Sequence, residues 1–203
     1  ADVVRRTLSG VDFWDRIAAL IIASGAAAWL WLSAGGGLHL DDIRAQAYAA
    51  DQPFWPFIVQ SNKTHLSPGA RTVDWLHSNF APFEWWPAVA IITTVVSALG
   101  VVSWLALRQV APQSVASLVG LFWIMFCPAL IPGFAWYRQT LTVGVPVVMM
   151  LLATLLAIAA VRRNGSLLAV GAVAAHAVAL CFSERAVLLP PVILVAFLVL
   201  VHP

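Results

Sequence analysis

The stretch IAALIIASGAAAWLWLSAGGGL, residues 17–38, contains no charged side chain. A helix needs about 20 mainly apolar residues to cross a hydrocarbon layer of about 30 Å, so this stretch predicts a transmembrane helix. Further apolar stretches lie at residues 86–107, 115–134, 141–161, 167–182 and 187–201. The last two are short enough to be tilted hairpin partners or to cross only part of the membrane. The pattern predicts an all-α fold, a polytopic transmembrane helix bundle of about six helices.

The composition also indicates a membrane protein. Apolar residues make up 62% of the 203 residues and charged residues only 10%, with a mean hydropathy of +0.90. A soluble domain typically has about 45–50% apolar and about 25% charged residues, so lipid is needed to cover the excess. The net charge of +2 and the absence of a basic run argue against a nucleic-acid partner. Cys127 and Cys181 lie inside apolar stretches, which favours small buried residues over a disulfide framework.

Arginines in the short connections predict the orientation. Those on one side of the predicted helices are Arg5, Arg6, Arg16, Arg108, Arg162 and Arg163. Positively charged residues accumulate on the cytoplasmic side of membrane proteins, so this side and the N-terminus are predicted to be cytoplasmic. The strong preference for arginine over lysine favours a bacterial source. We therefore expect a multi-pass protein of the bacterial inner (plasma) membrane.

The polar residues concentrate between the first two predicted helices. Acidic residues open a predicted helix at 41–51, and Ser67 followed by Pro68 predicts the start of another at 69–79. Aromatic residues of the kind that collect at membrane interfaces surround both. We expect both helices to lie on the membrane surface as interfacial helices. The chain is thus predicted to form a single transmembrane domain over 1–203, with a first helix at 16–38, an outer loop at 39–85 and the remaining helices at 86–203.

Two adjacent carboxylates, Asp41 and Asp42, lie at the predicted outer end of the first helix. Carboxylates are costly where water is scarce, so a site at the membrane edge needs a reason to keep both. One could act as a general base on an acceptor hydroxyl, while the other fixes the acceptor or a divalent cation. The alternative is a solvated helix start with no chemical role. No cofactor is certain, a divalent cation is possible, and no His or Cys spacing fits a zinc site.

Cationic residues are predicted on the same outer face. Lys63 and His65 could meet a phosphate, although an ordinary polar turn is the alternative. Arg138, flanked by aromatic residues, could clamp a lipid phosphate or only extend its side chain towards lipid headgroups. Glu184 and Arg185 either contribute to the same site or neutralise each other in a tight turn.

This order of features resembles the GT-C superfamily of polyprenol-dependent membrane glycosyltransferases. In that family a cytoplasmic N-terminus and one helix are followed by an outer loop with an acidic motif and two interfacial helices. The acidic motif often has a tyrosine a few residues on, and residues 41–48 here read DDIRAQAY. The stretch HLSPG, residues 65–69, is similar to the segment before the second interfacial helix. The resemblance covers residues 16–107 well and the later helices only by general pattern.

The resemblance implies transfer of a sugar from a polyprenyl-phosphate donor to a glycan, lipid or protein acceptor at the outer face of the membrane. It assigns the catalytic base to Asp41, with Asp42 as the substitute. The substrate-binding candidates that go with it are Tyr48, Lys63, His65, Arg138, Glu184 and Arg185. Members of the family usually have more helices and often a soluble C-terminal domain. The chain would then correspond to the N-terminal part of such an enzyme or to a reduced relative.

Two other functions are compatible with the sequence. A transporter or channel subunit would explain the prolines in the later apolar stretches, because broken helices are typical of transporters. The predicted helix interiors lack carboxylates, however, and the polar residues gather at one face. A non-catalytic membrane scaffold of a larger complex is the other alternative.

Overall fold

The structure, a computed structural model, describes residues 13–60, 66–110, 114–128, 134 and 136–190. All the regular secondary structure in these residues is helical, as the sequence predicts. The helices are α1 (Phe13–Ala34), α2 (Leu40–Ala50), α3 (Phe54–Val59), α4 (Pro68–Phe80), α5 (Trp86–Val110), α6 (Val115–Phe126), α7 (Tyr137–Arg163) and α8 (Ser166–Phe182). Helix α7 contains a π-helical segment at Thr140–Gly144, and a 3-10 turn at Glu184–Leu188 follows α8.

Three helices in the described part of the chain are long and apolar enough to cross a membrane. They are α1, α7 and the Trp86–Gln109 part of α5. Helices α6 and α8 are apolar but shorter. Most of the predicted stretch at 187–201 lies outside the described residues. The membrane character of the chain is therefore supported, while a bundle of six spanning helices stays a prediction.

Two helix ends differ from the predicted ones. Helix α1 ends at Ala34 instead of residue 38, because the glycine run that follows has a low helix propensity. Helix α6 ends at Phe126, although the apolar stretch continues to residue 134. Cys127 precedes Pro128 and is extended, with φ −67° and ψ 119°, since a proline ring clashes with a helical residue before it. The proline thus shortens α6 well below the length that a simple span requires.

The apolar core lies between α1, α5, α6 and α7. Ile92 and Leu121 are fully buried there, and Met125 and Trp29 nearly so. The indole Nε1 of Trp29 donates a hydrogen bond to the carbonyl oxygen of Met125 at 3.2 Å. These contacts fix α6 against α1 despite its short length.

Polar contacts join the two long helices at one end of the bundle. Asp15, near the start of α1, accepts hydrogen bonds from Arg108 at 2.8 Å and from the Trp104 indole at 2.9 Å near the end of α5. At the same end, Arg162 of α7 donates to Gln109 of α5 at 2.6 Å. Helices α1 and α5 are therefore antiparallel. Which side of a membrane this end faces stays a prediction.

Helices α2, α3 and α4 lie in the polar segment between α1 and α5. Both predicted loop helices are present as helices, and α3 is an additional one. Gln46 connects α2 to α4 and to the segment after α4. Its amide nitrogen contacts the His77 ring of α4 at 3.0 Å, and its amide oxygen accepts a hydrogen bond from the Phe83 backbone N–H at 2.9 Å. Gly69 lets α4 approach Phe182 at the end of α8. That these helices lie on a membrane surface stays a prediction.

Candidate active site

A cavity of about 920 Å³ lies between α2, α3, α4 and the ends of α7 and α8. This volume is within the range of roughly 300–1,000 Å³ that is usual for small-molecule sites. The charged side chains that line it in the described part of the chain are Asp41, Asp42, Asp74, Glu184, Arg44, Arg71, Arg138 and Arg185. Four carboxylates and four guanidinium groups thus share one cavity. Such a site suits a polar ligand, and the guanidinium groups that are not paired with these carboxylates can bind an anionic one.

The adjacent pair Asp41 and Asp42 is divided between two environments. Asp42 is only 3% exposed, and its Oδ2 accepts a hydrogen bond from the backbone N–H of His39 at 2.9 Å. This contact satisfies one of the free N–H groups at the start of α2. The Asp41 side chain is 76% exposed and lies 4.0 Å from Arg44. Exposed ion pairs at such a distance are weak, so Asp41 keeps a carboxylate that a ligand can reach.

Arg138 and Asp74 form a second charged pair at the cavity. Nη2 of Arg138 lies 3.6 Å from Oδ2 of Asp74, and the Asp74 side chain is 2% exposed against 25% for Arg138. Within the described residues, neither carboxylate oxygen of Asp74 has a hydrogen-bond partner. Burial raises the pKa of Asp74 to about 6. The positive charge of Arg138 lowers this pKa, and the negative charge of Asp42 raises it.

Arg71 connects α4 to α3 beside this pair. Its Nη1 donates to the carbonyl oxygen of Phe57 at 2.7 Å, and its guanidinium lies 4.7 Å from the centre of the Phe57 ring. Burial and the neighbouring Arg138 lower the pKa of Arg71. The residue contributes a fixed positive charge at the cavity wall, because arginine stays protonated at ordinary pH.

Of the other predicted site residues, three line the cavity and two lie outside the described residues. Tyr48 lines the cavity, and its hydroxyl donates to Oε1 of Gln60 at 2.8 Å. Glu184 and Arg185 line it from the 3-10 turn after α8. The predicted phosphate contacts Lys63 and His65 lie outside the described residues. The cavity therefore brings together Asp41, Asp42, Tyr48, Arg138, Glu184 and Arg185.

A smaller apolar cleft of about 370 Å³ adjoins the cavity. The two share His39, Asp42 and Trp136. The His39 and Trp136 rings are stacked, with centres 5.0 Å apart and planes 18° from parallel. The remaining lining comes mainly from the end of α1 and from Trp85, whose indole donates to the carbonyl oxygen of Ser33 at 2.7 Å. A charged cavity beside an apolar cleft matches a ligand with a polar head and an apolar chain.

Sequence patterns did not single out Arg71 or Asp74 as site residues, and they did not predict that the rings of His39 and Trp136 stack. A signal for the first two was present, because residues three apart on a helix share a face, and both lie within the predicted second loop helix. The stacking of His39 on Trp136 joins segments far apart in the chain, so no local pattern indicates it. Among the described residues, no group of three or more His, Cys, Asp or Glu side chains could hold a metal ion.

The chain matches no protein-family model, no curated protein and no solved structure.

Proposed function

We propose that this chain transfers a sugar from a polyprenyl-phosphate donor to an acceptor hydroxyl at the outer face of a bacterial inner membrane, as a GT-C-like glycosyltransferase or as part of one. The observation that carries the proposal is the meeting of an exposed carboxylate, several arginines and an adjoining apolar cleft in one place. An amphiphilic, anionic donor and a hydroxyl acceptor need these three features together.

Asp41 is the proposed general base. Its carboxylate is exposed at the cavity, whereas that of Asp42 is occupied by the backbone at the start of α2. In the reaction the acceptor oxygen bonds to the anomeric carbon, and its proton passes to Asp41. The bond between that carbon and the phosphate oxygen breaks, and the lipid phosphate leaves with the electron pair.

The arginines are the proposed partners of the leaving phosphate. Negative charge develops on the phosphate as its bond to the sugar breaks, and preorganised cations lower the energy of that state. Arg138 and Arg185 reach the cavity from two different elements, the start of α7 and the turn after α8. A planar guanidinium can also bind two phosphate oxygens at once, which fixes the orientation of the donor.

The apolar cleft is the proposed place of the first isoprene units. It is bordered by Trp29, Leu32 and Trp85 and opens next to the charged cavity at His39. The phosphate would lie at the boundary between the two, with the sugar in the polar cavity. Burial of apolar surface contributes roughly 25 cal/mol per Å², so even a short segment of the chain adds to donor affinity.

Asp41→Asn tests the proposed base. The substitution keeps the size of the side chain and removes its basicity, and a general base typically contributes about 10²–10⁴-fold to the rate. We expect sugar transfer from a polyprenyl-phosphate donor by the full enzyme in nanodiscs to fall by that factor. Asp51→Asn is the matched control, because Asp51 is an exposed carboxylate at the other end of α2. Wild-type transfer by Asp41→Asn would exclude Asp41 as the base.

A further inference from the structure

We infer that Asp74 is a positioning residue that controls how strongly Arg138 binds the donor phosphate, so that phosphate binding is coupled to proton uptake by Asp74. The inference rests on the proposed function, because it takes the phosphate of the donor as the anion that Arg138 meets.

Asp74 lies deeper than Arg138. The Asp74 side chain is almost fully buried, while Arg138 remains a quarter exposed and lines the cavity. The 3.6 Å separation between their charged atoms allows strong attraction but no hydrogen bond in this geometry. A buried carboxylate without hydrogen bonds is costly, and nearby cations offset part of that cost. Asp74 therefore acts on a ligand through Arg138.

Other charged groups around Asp74 do not remove this coupling. Asp42, Arg71, Tyr137 and Arg138 interact electrostatically with Asp74, and His77 lies one turn further along α4. The other titratable side chains that line the same cavity are His39, Asp41, Arg44, Tyr48, Glu184 and Arg185. The titratable side chains of α8 are His176 and Cys181, and α3 carries none. Arg71 is already held by the Phe57 carbonyl, whereas no hydrogen bond from the Arg138 guanidinium to the described residues is seen. Arg138 therefore keeps capacity for a phosphate, and among the arginines at the cavity it is the one paired with Asp74.

The protonation state of Asp74 then decides the net charge that a phosphate meets. Above a pKa of about 6, ionised Asp74 neutralises Arg138 and competes with the incoming anion. Below that value the neutral acid leaves the positive charge of Arg138 uncompensated. Phosphate affinity should therefore rise as the pH falls from about 7.5 to about 5, and by linkage the bound phosphate favours proton uptake by Asp74.

The test uses a ligand whose own charge does not change with pH. An isoprenyl methyl phosphodiester carries one negative charge throughout this range, and its dissociation constant can be measured by titration of the full chain in nanodiscs. We expect the wild type to bind it on the order of tenfold more tightly at the acidic end of the range. Asp74→Asn removes the titrating charge, so it should bind at neutral pH as tightly as the wild type does in acid, with a flat profile.

Further variants separate the possible origins of a pH effect. Arg138→Gln should bind weakly and with a smaller pH dependence, since Asp74 then acts only by direct repulsion, and it tests the coupling if Asp74→Asn does not fold. His39→Gln, His65→Gln and His77→Gln should each keep the pH dependence of the wild type. The inference is overturned if phosphodiester binding by Asp74→Asn still depends on pH, or if one of the histidine variants loses this dependence. Either result leaves the proposed function intact. Failure of the wild type to bind the phosphodiester at any pH contradicts the proposed function itself.

Discussion

Gly69→Ala tests whether the cavity requires close packing of α4 against α8. A Cβ atom at position 69 would lie 2.7 Å from two ring atoms of Phe182 and 3.0 Å from the carbonyl oxygen of Cys181. Favourable carbon–carbon contacts lie at about 3.5–4.0 Å. The Phe182 ring can turn aside, but the Cys181 carbonyl belongs to the backbone of α8. The substitution therefore has to move one helix relative to the other.

The expected effect is a net loss of stability. Overpacking of this kind typically costs about 1–3 kcal/mol. Alanine is favoured over glycine by roughly 0.5–1 kcal/mol inside a helix, and by less at a helix start. We expect Gly69→Ala to lower the free energy of unfolding by about 1–2 kcal/mol. Binding of a lipid-phosphate ligand should change as well, because Asp74 lies on the same helix and its 3.6 Å separation from Arg138 would change.

Reversible unfolding in detergent, followed by tryptophan fluorescence, measures the stability of each variant. Gly120→Ala on α6 is the matched control, since the nearest atoms to its Cβ are Leu107 methyl groups at 3.6 and 3.7 Å. This variant should be as stable as the wild type or more stable, because the contacts are unstrained and the helix gains propensity. Equal changes in the free energy of unfolding of the two variants, or an unfolding free energy of Gly69→Ala equal to that of the wild type, would refute the role of close packing between α4 and α8.

Two further predictions concern the phosphate site and the topology. Arg138→Ala should weaken binding of a polyprenyl-phosphate analogue by about 1.5–3 kcal/mol, and Arg138→Lys should recover only part of this loss. Arg163→Ala, which removes an exposed arginine at the other end of α7, serves as the control and should bind like the wild type. In a cysteine-free background, Asp51→Cys should react with an impermeant thiol reagent in intact cells, whereas Asn164→Cys should react only after the membrane is opened. Equal binding by the Arg138→Ala and Arg163→Ala variants, or the reverse labelling pattern, would contradict the respective prediction.

Helices α1, α2, α4 and α5 could be predicted from sequence because their signals are local. A long charge-free stretch marks α1 and α5, and acidic or Ser-Pro starts mark α2 and α4. The prediction that α6 continues to residue 134 is wrong, because Pro128 follows Cys127 within the apolar stretch. The extended backbone of Cys127 shows that the proline ends the helix although the sequence stays apolar. The short helix α3 has no strong start signal apart from Pro53.

The candidate site was predictable only in part, since its members come from segments far apart in the chain. Helix alternation predicts that Asp41, Arg138 and Arg185 lie on the same side of the bundle, and the structure places all three around one cavity. The contact of Arg138 with Asp74 depends on how α7 begins against α4, which no periodic pattern reveals. Sequence can place such residues on the same side of a bundle, whereas only packing decides which of them meet.

The adjacent carboxylates at the start of α2 left two interpretations open, a helix cap and a catalytic base. Successive residues on an α-helix point about 100° apart, so Asp41 and Asp42 differ in burial although both line the cavity. Asp42 turns inward and accepts the His39 N–H, while Asp41 remains exposed at the cavity. The cap and the proposed base are therefore compatible, since each needs one carboxylate. With Asp42 already bound to the backbone, the helix start is stabilised without using the carboxylate that the proposed chemistry requires.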